Sequence, residues 1–530
     1  MDKTQDEPTE KPSLSRAGGT APARGAVAMK SASAYRAITG VLLCAAGAWL
    51  AIPTAYHEQI YFINAGGCRL ATTVLEKSGG AKEGSVVLFH GISANKKIMS
   101  YLAQGFAEQG LRVFAPDFPG HGRSPGPFSP ARAEQCGEAL VRELLSRGAI
   151  SADRTIFAGH SMGGAIAVRI ASRVPVAGLI TISPAPMLPT HGVSPEKLLF
   201  RDPPQLPPHS LVITGWLELE SMRRNAADLA ASRNDGTAKY LEIPGATHVS
   251  LLFSSAAMRA AQEWSAQVLR LPPSPNLPSH RPLAGALAGF AGLLLIAGPF
   301  LREAVGKVSP QDLPATGASI GVVRLFLELG AGSILVVLLL QFWVPLKVLG
   351  LFQGDYLASF LLILGLALAA SHWNTLRTAL SSSPREMISA AFAGLVLLLL
   401  VTAWFDLTFY EAWLTPMKWG RFPFLLAVLL PYHFAEETLL GPPQAGKIGR
   451  RMSLALSLRL ITWGALMAGV LILHSGEILM GLLAVYMALF NLIQTGAVHI
   501  VHKGTGSAGA AAVFGAILQA GFCLVIFPTS

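Results

Sequence analysis

Ser161 is the residue of this chain with the clearest chemical potential, because it is the centre of the pentapeptide Gly159-His160-Ser161-Met162-Gly163. An apolar run at 155–158 precedes the pentapeptide, and small and apolar residues follow it. A strand that turns directly into a helix strains its corner residue, and glycines on either side leave room for the turn. The hydroxyl is then exposed near the free N–H groups of the helix start. The pattern predicts a nucleophilic serine, with Gly159 and Gly163 as the glycines of the turn.

A carboxylate and a histidine follow Ser161 in the order expected for a serine hydrolase of this strand–turn–helix type. Glu218 comes three residues after the glycine that ends an apolar strand, and His248 follows the next strand. An imidazole can take the proton of the serine hydroxyl, while a carboxylate fixes the imidazole tautomer. Glu220 is an alternative acid, two residues further on. The predicted triad is Ser161, His248 and Glu218, with Glu220 kept open.

Two backbone N–H groups are predicted to form an oxyanion hole. The apolar run 85–89 ends in His90-Gly91-Ile92, which leads into a helical stretch, and Met162 directly follows the serine. In such an arrangement the N–H groups of Ile92 and Met162 lie side by side. Together they can hold the negative oxygen of a tetrahedral intermediate.

The segment from about residue 57 to residue 270 resembles an α/β-hydrolase domain of the monoacylglycerol lipase and S33 peptidase branch. The resemblance rests on the pentapeptide around Ser161 and on residues 113–124, which read VFAPDFPGHGRS. It implies an α/β fold with a mostly parallel, doubly wound sheet, Ser161 as nucleophile and His248 as general base. No cofactor is implied.

The composition is too apolar for a soluble enzyme of this length. Hydrophobic residues make up 52% and charged residues 14%, and the mean hydropathy is +0.47. A bilayer core requires about 20 apolar residues per helix. Apolar runs recur at 38–52, 283–300, 320–344, 356–370, 388–404, 422–434, 454–473, 478–492 and 506–527. The second half is therefore predicted to be an all-α polytopic transmembrane domain.

These patterns divide the chain into five parts. We predict a disordered tail at 1–35, a transmembrane anchor at 36–54, the α/β-hydrolase domain at 57–270, a Pro-rich linker at 271–282 and about eight transmembrane helices at 283–530. The anchor could instead be a signal peptide cleaved near residue 55. The anchor is favoured, because 35 residues are unusually many before the apolar part of a signal peptide.

Basic residues are distributed unevenly among the predicted loops. Lys and Arg concentrate near 302–307, 377–385, 447–451 and 503, and the intervening loops have few of them. With nine spans, this alternation satisfies the positive-inside rule and places the hydrolase on the extracytoplasmic side of a plasma or inner membrane. The net charge of +10 suits contact with anionic lipid. No basic stripe with aromatic residues indicates nucleic-acid binding.

The four cysteines do not show the spacing of a zinc site, and no metal is predicted. Cys44 and Cys523 fall in apolar runs, whereas Cys68 and Cys136 fall in the hydrolase segment. The resemblance places Cys68 on an early strand and Cys136 on a helix packed elsewhere. Free thiols are thus favoured over a disulfide.

Polar residues interrupt the apolar half at two places. At the first, Glu436 and Glu437 begin a sequence faintly similar to the E-E-x-x-x-R signature of intramembrane CAAX-type proteases, but Gly441 stands where that signature has arginine. His433 shares a helical face with Glu436 or Glu437. We expect this helix end to leave the membrane with its carboxylates in water. His499 and His502 are expected at another helix end.

Taken together, the residues predict a membrane-anchored serine hydrolase that cleaves carboxylic esters, including lipid or acylglycerol esters, through an acyl-enzyme. Only about 27 Pro-rich residues separate two strands where a lid would lie, which leaves the site open to long acyl chains. An S33-like peptidase or amidase and an acyltransferase are alternatives with the same triad. A transport or assembly protein with a vestigial hydrolase domain is the non-enzymatic alternative. The oligomeric state is left open.

Overall fold

The computed structural model describes the chain in eleven stretches. They are residues 21–52, 55–79, 83–189, 198–200, 205–274, 276–306, 321–342, 349–379, 383–443, 448–473 and 478–530. Of the predicted disordered tail, residues 1–20 lie outside these stretches, as does part of the predicted lid. Residues 21–35, in contrast, belong to helix α1 (Ala21–Ala51). This part of the tail is rich in alanine, which has the highest helix propensity, so a helix forms there in place of the predicted disorder.

Eight strands form a single sheet in the order β1-β2-β4-β3-β5-β6-β7-β8. Their bounds are β1 Tyr56–Ala65, β2 Cys68–Lys77, β3 Gly84–Phe89, β4 Leu111–Pro116, β5 Thr155–His160, β6 Gly178–Ile182, β7 Ser210–Gly215 and β8 Ala238–Ile243. Strand β2 runs antiparallel to β1 and β4, and all other neighbours are parallel. The predicted mostly parallel, doubly wound sheet is confirmed.

Helices cover both faces of this sheet, so the central strands are apolar on both sides. The helices are α2 Ser100–Ala107, α3 Pro130–Ser146, α4 Met162–Ala171, α5 Glu220–Ala231 and α6 Ser255–Leu269. Because side chains alternate along a strand, Phe157 of β5 packs with α3 and α4, whereas Ile156 and Ala158 pack with α2 and α6. The carboxyl ends of the parallel strands meet at one edge, where the site lies.

Among the described residues, ten further helices form the second half of the molecule. They are α7 Arg281–Ala304, α8 Val322–Phe342, α9 Gly354–Ser371, α10 Trp373–Ala379, α11 Pro384–Thr408, α12 Pro416–Leu439, α13 Ile448–Ile472, α14 Ile478–Leu482, α15 Ala484–Thr505 and α16 Ala508–Ile526. In the part of the chain that the structure describes, eight helices are long and apolar enough to cross a membrane: α1, α7, α8, α9, α11, α13, α15 and α16. The predicted all-α helical half is confirmed.

Helix α12 is the difference between these eight candidates and the nine predicted spans. It is 24 residues long, but Lys418, Arg421, Glu436 and Glu437 make it less apolar than the others. It packs against α9 and α16 inside the helical half. The nine-span topology therefore stays a prediction.

Helix α1 packs antiparallel on α7 through glycines. A Cβ atom on Gly40 would lie 2.7 Å from the carbonyl oxygen of Gly292, and one on Gly47 would lie 2.5 Å from that of Gly285. Small residues let helix backbones approach closely, which is a common basis of association in membranes. The first apolar helix is thus packed into the helical half.

The expectation that Glu436 and Glu437 lie in water is wrong, since both are buried. Arg459 of α13 makes two hydrogen bonds to Glu436, of 2.7 and 2.8 Å, and Arg451 of the same helix bonds Glu437 at 2.7 Å. His502 is also buried and contacts Glu437 at 2.7 Å. A buried carboxylate is tolerated when a paired cation satisfies it. Arg451 was predicted to lie in a basic loop, so its pairing with Glu437 was not expected from the sequence.

Cys68 and Cys136 form a disulfide, contrary to the free thiols expected, with Cα atoms 5.7 Å apart. Helix α3, which carries Cys136, packs against the β1–β2 edge of the sheet rather than elsewhere, and this brings the two cysteines together. The bond closes a segment with a sequence separation of 68. By the chain-entropy relation such a closure stabilises the fold by about 4 kcal/mol. Cys44 and Cys523 are free.

Candidate active site

Ser161 stands at the corner between β5 and α4, in a strained backbone conformation with φ 55° and ψ −121°. A Cβ atom on Gly159 would lie 2.3 Å from the carbonyl oxygen of Gly163. One on Gly163 would lie 2.4 Å from the carbonyl oxygens of Phe89 and His90. Side chains at either position would therefore collide with backbone, so the turn requires both glycines.

The structure brings Ser161, His248 and Glu218 together. His248 Nε2 lies 3.0 Å from Ser161 Oγ, and His248 Nδ1 lies 3.5 Å from Glu218 Oε2. The second contact is longer than an ordinary hydrogen bond. Neither of its atoms has a hydrogen-bond partner elsewhere among the described residues. Contacts of this kind commonly tighten only when substrate is bound.

The two candidate acids differ in their surroundings. The Glu218 side chain is 1% exposed, and its Oε1 accepts hydrogen bonds from the N–H of Gly215, at 2.9 Å, and from the hydroxyl of Ser183. The Glu220 side chain is 63% exposed and pairs with Arg224 one helical turn away. Glu220 therefore takes no part in the cluster around His248.

The surroundings of Glu218 favour its ionised form. Burial raises the pKa of this carboxyl. The nearby imidazole of His248, together with hydrogen bonds from Ser183 and Gly215, outweighs burial and leaves the pKa of Glu218 below its ordinary value. Ser183 was not predicted from the sequence, although it follows a buried strand directly.

The predicted oxyanion donors lie on either side of the serine. Met162 is the first residue of α4, and Ile92 lines the same cavity as Ser161. A Cβ atom on Gly91 would lie 3.1 Å from Ser161 Cβ, so the Ile92 loop passes directly beside the nucleophile. Within the described residues, neither the Ile92 nor the Met162 N–H has a backbone acceptor. Both remain available to a substrate oxygen.

Two neighbouring histidines are buried and hold the site in place. Nε2 of His160 lies 2.8 Å from the carbonyl oxygen of His248, and Nε2 of His90 accepts from the N–H of Phe118 at 3.0 Å. Burial lowers the pKa of His160 to about 3 and that of His90 to about 4. Both are neutral, and His160 positions the loop that carries His248.

The helical half contacts the Ile92 loop through Tyr410 and Glu411, neither of which was predicted from the sequence. The Tyr410 hydroxyl donates to the Ser93 carbonyl oxygen at 2.8 Å. Lys96 Nζ lies 2.5 Å from both Asp117 and Glu411 carboxylates, and all three side chains are buried. Tyr410 and Glu411 lie in the segment between α11 and α12. Their roles depend on contacts more than 300 residues apart in sequence, so no local pattern indicates them.

Glu411 should give the stability of this junction a characteristic pH dependence. Burial first, and the negative charge of Asp117 next, raise the pKa of Glu411 from 4.5 to about 8. At pH values between 4.5 and about 8, Glu411 keeps its proton in the folded protein but has lost it in the unfolded chain. The free energy of unfolding therefore falls as the pH rises through this range. The pKa of Asp117, about 2, lies below this window, because the charge of Lys96 and hydrogen bonds outweigh burial.

The corresponding prediction uses Glu411→Gln, which mimics the protonated form. Unfolding temperatures measured from pH 4.5 to about 8 are expected to decline less steeply in this variant than in the wild type. Glu220→Gln, at an exposed carboxylate, is the control and should keep the wild-type slope. Equal slopes in all three proteins would contradict a role for Glu411.

Ser161 and His248 open onto a cavity of about 620 Å³. Its walls come from the Ile92 loop and the His248 loop of the hydrolase half and from helices α7, α11, α15 and α16 of the helical half. Nearly all of these side chains are apolar. The cavity therefore connects the serine directly with the interior of the helical half.

Comparisons with known proteins agree with the fold. Residues 86–337 match the alpha/beta hydrolase family. Over 194 residues the chain is 29% identical to monoacylglycerol lipase of Mycolicibacterium smegmatis, covering 34% of this chain and 66% of that protein. It is 32% identical to esterase YjfP of Escherichia coli, covering 17% of this chain and 40% of that protein. It is also 32% identical to lipase LipV of Mycobacterium tuberculosis, covering 21% of this chain and 41% of that protein.

The chain spans less than two thirds of the length of each of these relatives. The match begins at β3 and continues past the sheet into α8. The helical half as a whole has no recognised family. The sheet and its covering helices have an α/β-hydrolase fold, are similar in sequence to esterases and lipases, and are joined to a domain of several apolar helices.

Proposed function

We propose that this protein is a membrane-embedded serine hydrolase that cleaves the carboxylic esters of lipids through an acyl-enzyme. The observation that carries the proposal is the contact of 3.0 Å between His248 Nε2 and Ser161 Oγ at the mouth of an apolar cavity. A vestigial domain would have no reason to keep the strained serine and the buried carboxylate of Glu218 in this arrangement.

The chemistry follows from these positions. Ser161 Oγ attacks the ester carbonyl carbon while its proton passes to His248 Nε2, and the N–H groups of Ile92 and Met162 bind the resulting oxyanion. The tetrahedral intermediate expels the alcohol, which takes the proton from His248 and leaves an acyl-enzyme. Water then attacks the acyl carbon, gives its proton to His248, and the carboxylic acid leaves as the proton returns to Ser161. Glu218 stabilises the imidazolium formed in both halves.

A lipid ester fits this site better than a soluble ester. The space beside Ser161 is apolar and continues between helices that are long enough to cross a bilayer. A substrate dissolved in the bilayer can enter such a space without first crossing water. The resemblance to a bacterial monoacylglycerol lipase supports an acylglycerol as the substrate class.

Covalent labelling tests the proposal. We expect the detergent-purified wild type to react with a fluorophosphonate probe, and we expect long-chain monoacylglycerol to slow that reaction by competition. Release of free fatty acid would identify a hydrolase, and transfer of the acyl group to an added alcohol in preference to water would identify an acyltransferase. A folded protein that is not labelled would refute the serine mechanism.

We further propose that the hydrolase domain faces the extracytoplasmic side. The Cys68–Cys136 bond supports this side, since disulfides persist in oxidising compartments and are rare in the cytosol. The expected result is that a membrane-permeant alkylating agent added to intact cells leaves both cysteines unmodified until a reductant is applied. Modification of both in non-reduced cells would place the domain in the cytoplasm.

A further inference from the structure

The cavity behind Ser161 gives the helical half a role. Resting on the proposed function, we propose that the helical half is the acyl-chain site of the enzyme. One long, unbranched acyl chain lies between α7, α11, α15 and α16, and the residues at the far end of the cavity limit its length. The hydrolase half would then supply the chemistry and the helical half the chain-length specificity.

The direction of each wall helix shows which end of the cavity is deep. Helix α7 begins beside the hydrolase half, where His280 Nε2 lies 2.8 Å from the Phe253 carbonyl oxygen, and runs away from it. Helix α11 runs towards it and ends near Tyr410, which bonds Ser93. Lining residues far from these ends, Leu301 on α7 and Leu397 on α11, are therefore the deep ones.

A packed cluster lies at the deep end. Leu301 and Leu397 belong to one buried group with Val498 and Phe514, against which Ala497 and Ile500 of α15 pack. Leu301, Leu397, Ala497 and Ile500 also line the cavity. We call these four residues the cavity floor.

The depth of the cavity matches an acyl chain. Lining residues on α7 extend from Phe290 to Leu301, which at about 1.5 Å per residue is roughly 16 Å. The hydrocarbon core of a bilayer is about 30 Å thick, so each leaflet is about 15 Å deep. A cavity as deep as one leaflet accommodates the kind of chain that fills a leaflet.

Among the described wall residues of the deep part, the polar side chains of Thr402 and Gln494 already have hydrogen-bond partners. Thr402 donates to the Leu398 carbonyl oxygen, and the Gln494 amide bonds Arg459 and the Gly515 carbonyl oxygen. Near the serine, in contrast, the hydroxyl of Ser93 is buried without a partner among the described residues. The cavity is thus polar at the end beside Ser161 and apolar elsewhere. This distribution matches a long-chain ester, which has a polar ester group at one end of an apolar chain.

Shape, rather than hydrophobicity, must select the chain. An acyl chain that moves from the bilayer into this cavity leaves one apolar environment for another, so its burial alone contributes little free energy. Selection then comes from the dispersion attraction between the walls and a chain that fills the space, and from steric collision when the chain is too long. Residues of the floor should therefore set a maximum chain length.

The decisive experiment maps the chain directly in the unmodified protein. A phosphonate with a long alkyl chain and a terminal diazirine is allowed to react with the wild type and is then photolysed, and crosslinked peptides are identified by mass spectrometry. We expect crosslinks to the floor peptides of α7 and α15 from the long probe, and to the Ile92 or His248 loop from a short one. A long probe that crosslinks only to the hydrolase half or to detergent would overturn the inference.

The activity of variants on esters of different chain length also tests whether the helical half binds the acyl chain. Ala497→Phe and Gly298→Phe place a ring in the deep part, and a Cβ atom on Gly298 would meet nothing within 4 Å. We expect the kcat/KM ratio of the longest to the shortest ester to fall by about tenfold or more, and Ile500→Ala to shift the optimum towards longer chains. Val485→Phe, on the exposed side of α15, is the control and should leave the ratio unchanged.

Two different failures can be told apart. If the wild type is neither labelled nor active on any ester, the proposed function fails. If short esters are cleaved normally and neither ring variant changes the ratio, the enzyme stands and the acyl-chain site in the helical half is refuted. If a ring variant loses all activity, the crosslinks in the wild type decide.

Discussion

Replacement of Ser161 by Ala is expected to lower ester turnover by about a million-fold and to abolish fluorophosphonate labelling. Loss of the nucleophile or of its base typically costs on the order of 10⁶ in turnover, because the two act as one unit. His248→Ala should therefore be almost as inactive, and the double variant should be no worse than either single one. Turnover of a lipid ester in detergent, measured over long incubations, checks all three.

A second serine-to-alanine variant, at Ser172, serves as the control that distinguishes loss of the nucleophile from damage to the fold. Ser172 directly follows helix α4, which Ser161 directly precedes. It is exposed, and its hydroxyl donates to the carbonyl oxygen of Arg169. Ser172→Ala should keep full turnover. Hydrolysis that survives in both Ser161→Ala and His248→Ala would move the reaction to another part of the molecule.

The strain in the backbone at Ser161 can be tested by comparing the unfolding temperatures of two variants. A residue held at such φ and ψ values costs of order 1–3 kcal/mol, which glycine avoids. Ser161→Gly is thus expected to be inactive but to unfold at a temperature no lower than that of Ser161→Ala. A lower value for the glycine variant would show that the corner is not strained.

The sequence indicated the parts of the site that depend on local order. The elbow around Ser161 is a continuous string, and Glu218 and His248 follow the adjacent parallel strands β7 and β8, so the fold alone brings them to one edge. Tyr410 and Glu411 could not be found in this way, since they reach the Ile92 loop from a different domain.

The expectations that failed depended on packing between distant elements. The Cys68–Cys136 bond depends on where α3 lies over the sheet, and the burial of Glu437 depends on Arg451 from the next helix. Composition and periodicity locate elements along the chain, but they do not say which elements touch. Pairing of cysteines and of buried charges requires that second kind of information.

Turnover by Glu218→Gln and by Glu220→Gln is expected to differ by about four orders of magnitude, which decides between the two candidate acids. A triad carboxylate holds the imidazole in the reactive tautomer, and its replacement by the neutral amide typically lowers turnover by about 10⁴. Glu218→Gln should show this loss, because Glu218 is buried against His248. Glu220→Gln should lose nothing measurable, because that side chain is exposed and pairs with Arg224.

Two readouts distinguish an effect on the histidine from a general loss of structure. Glu218→Gln keeps the size of the side chain, so it should unfold cooperatively and still react with the fluorophosphonate, but slowly. Glu218→Asp keeps the charge and should recover part of the rate, although its shorter side chain stretches a contact that is already 3.5 Å. If Glu220→Gln were the inactive variant, the chain would have to repack so that the exposed carboxylate reached His248. The buried bonds of Glu218 to Ser183 and Gly215 oppose that rearrangement.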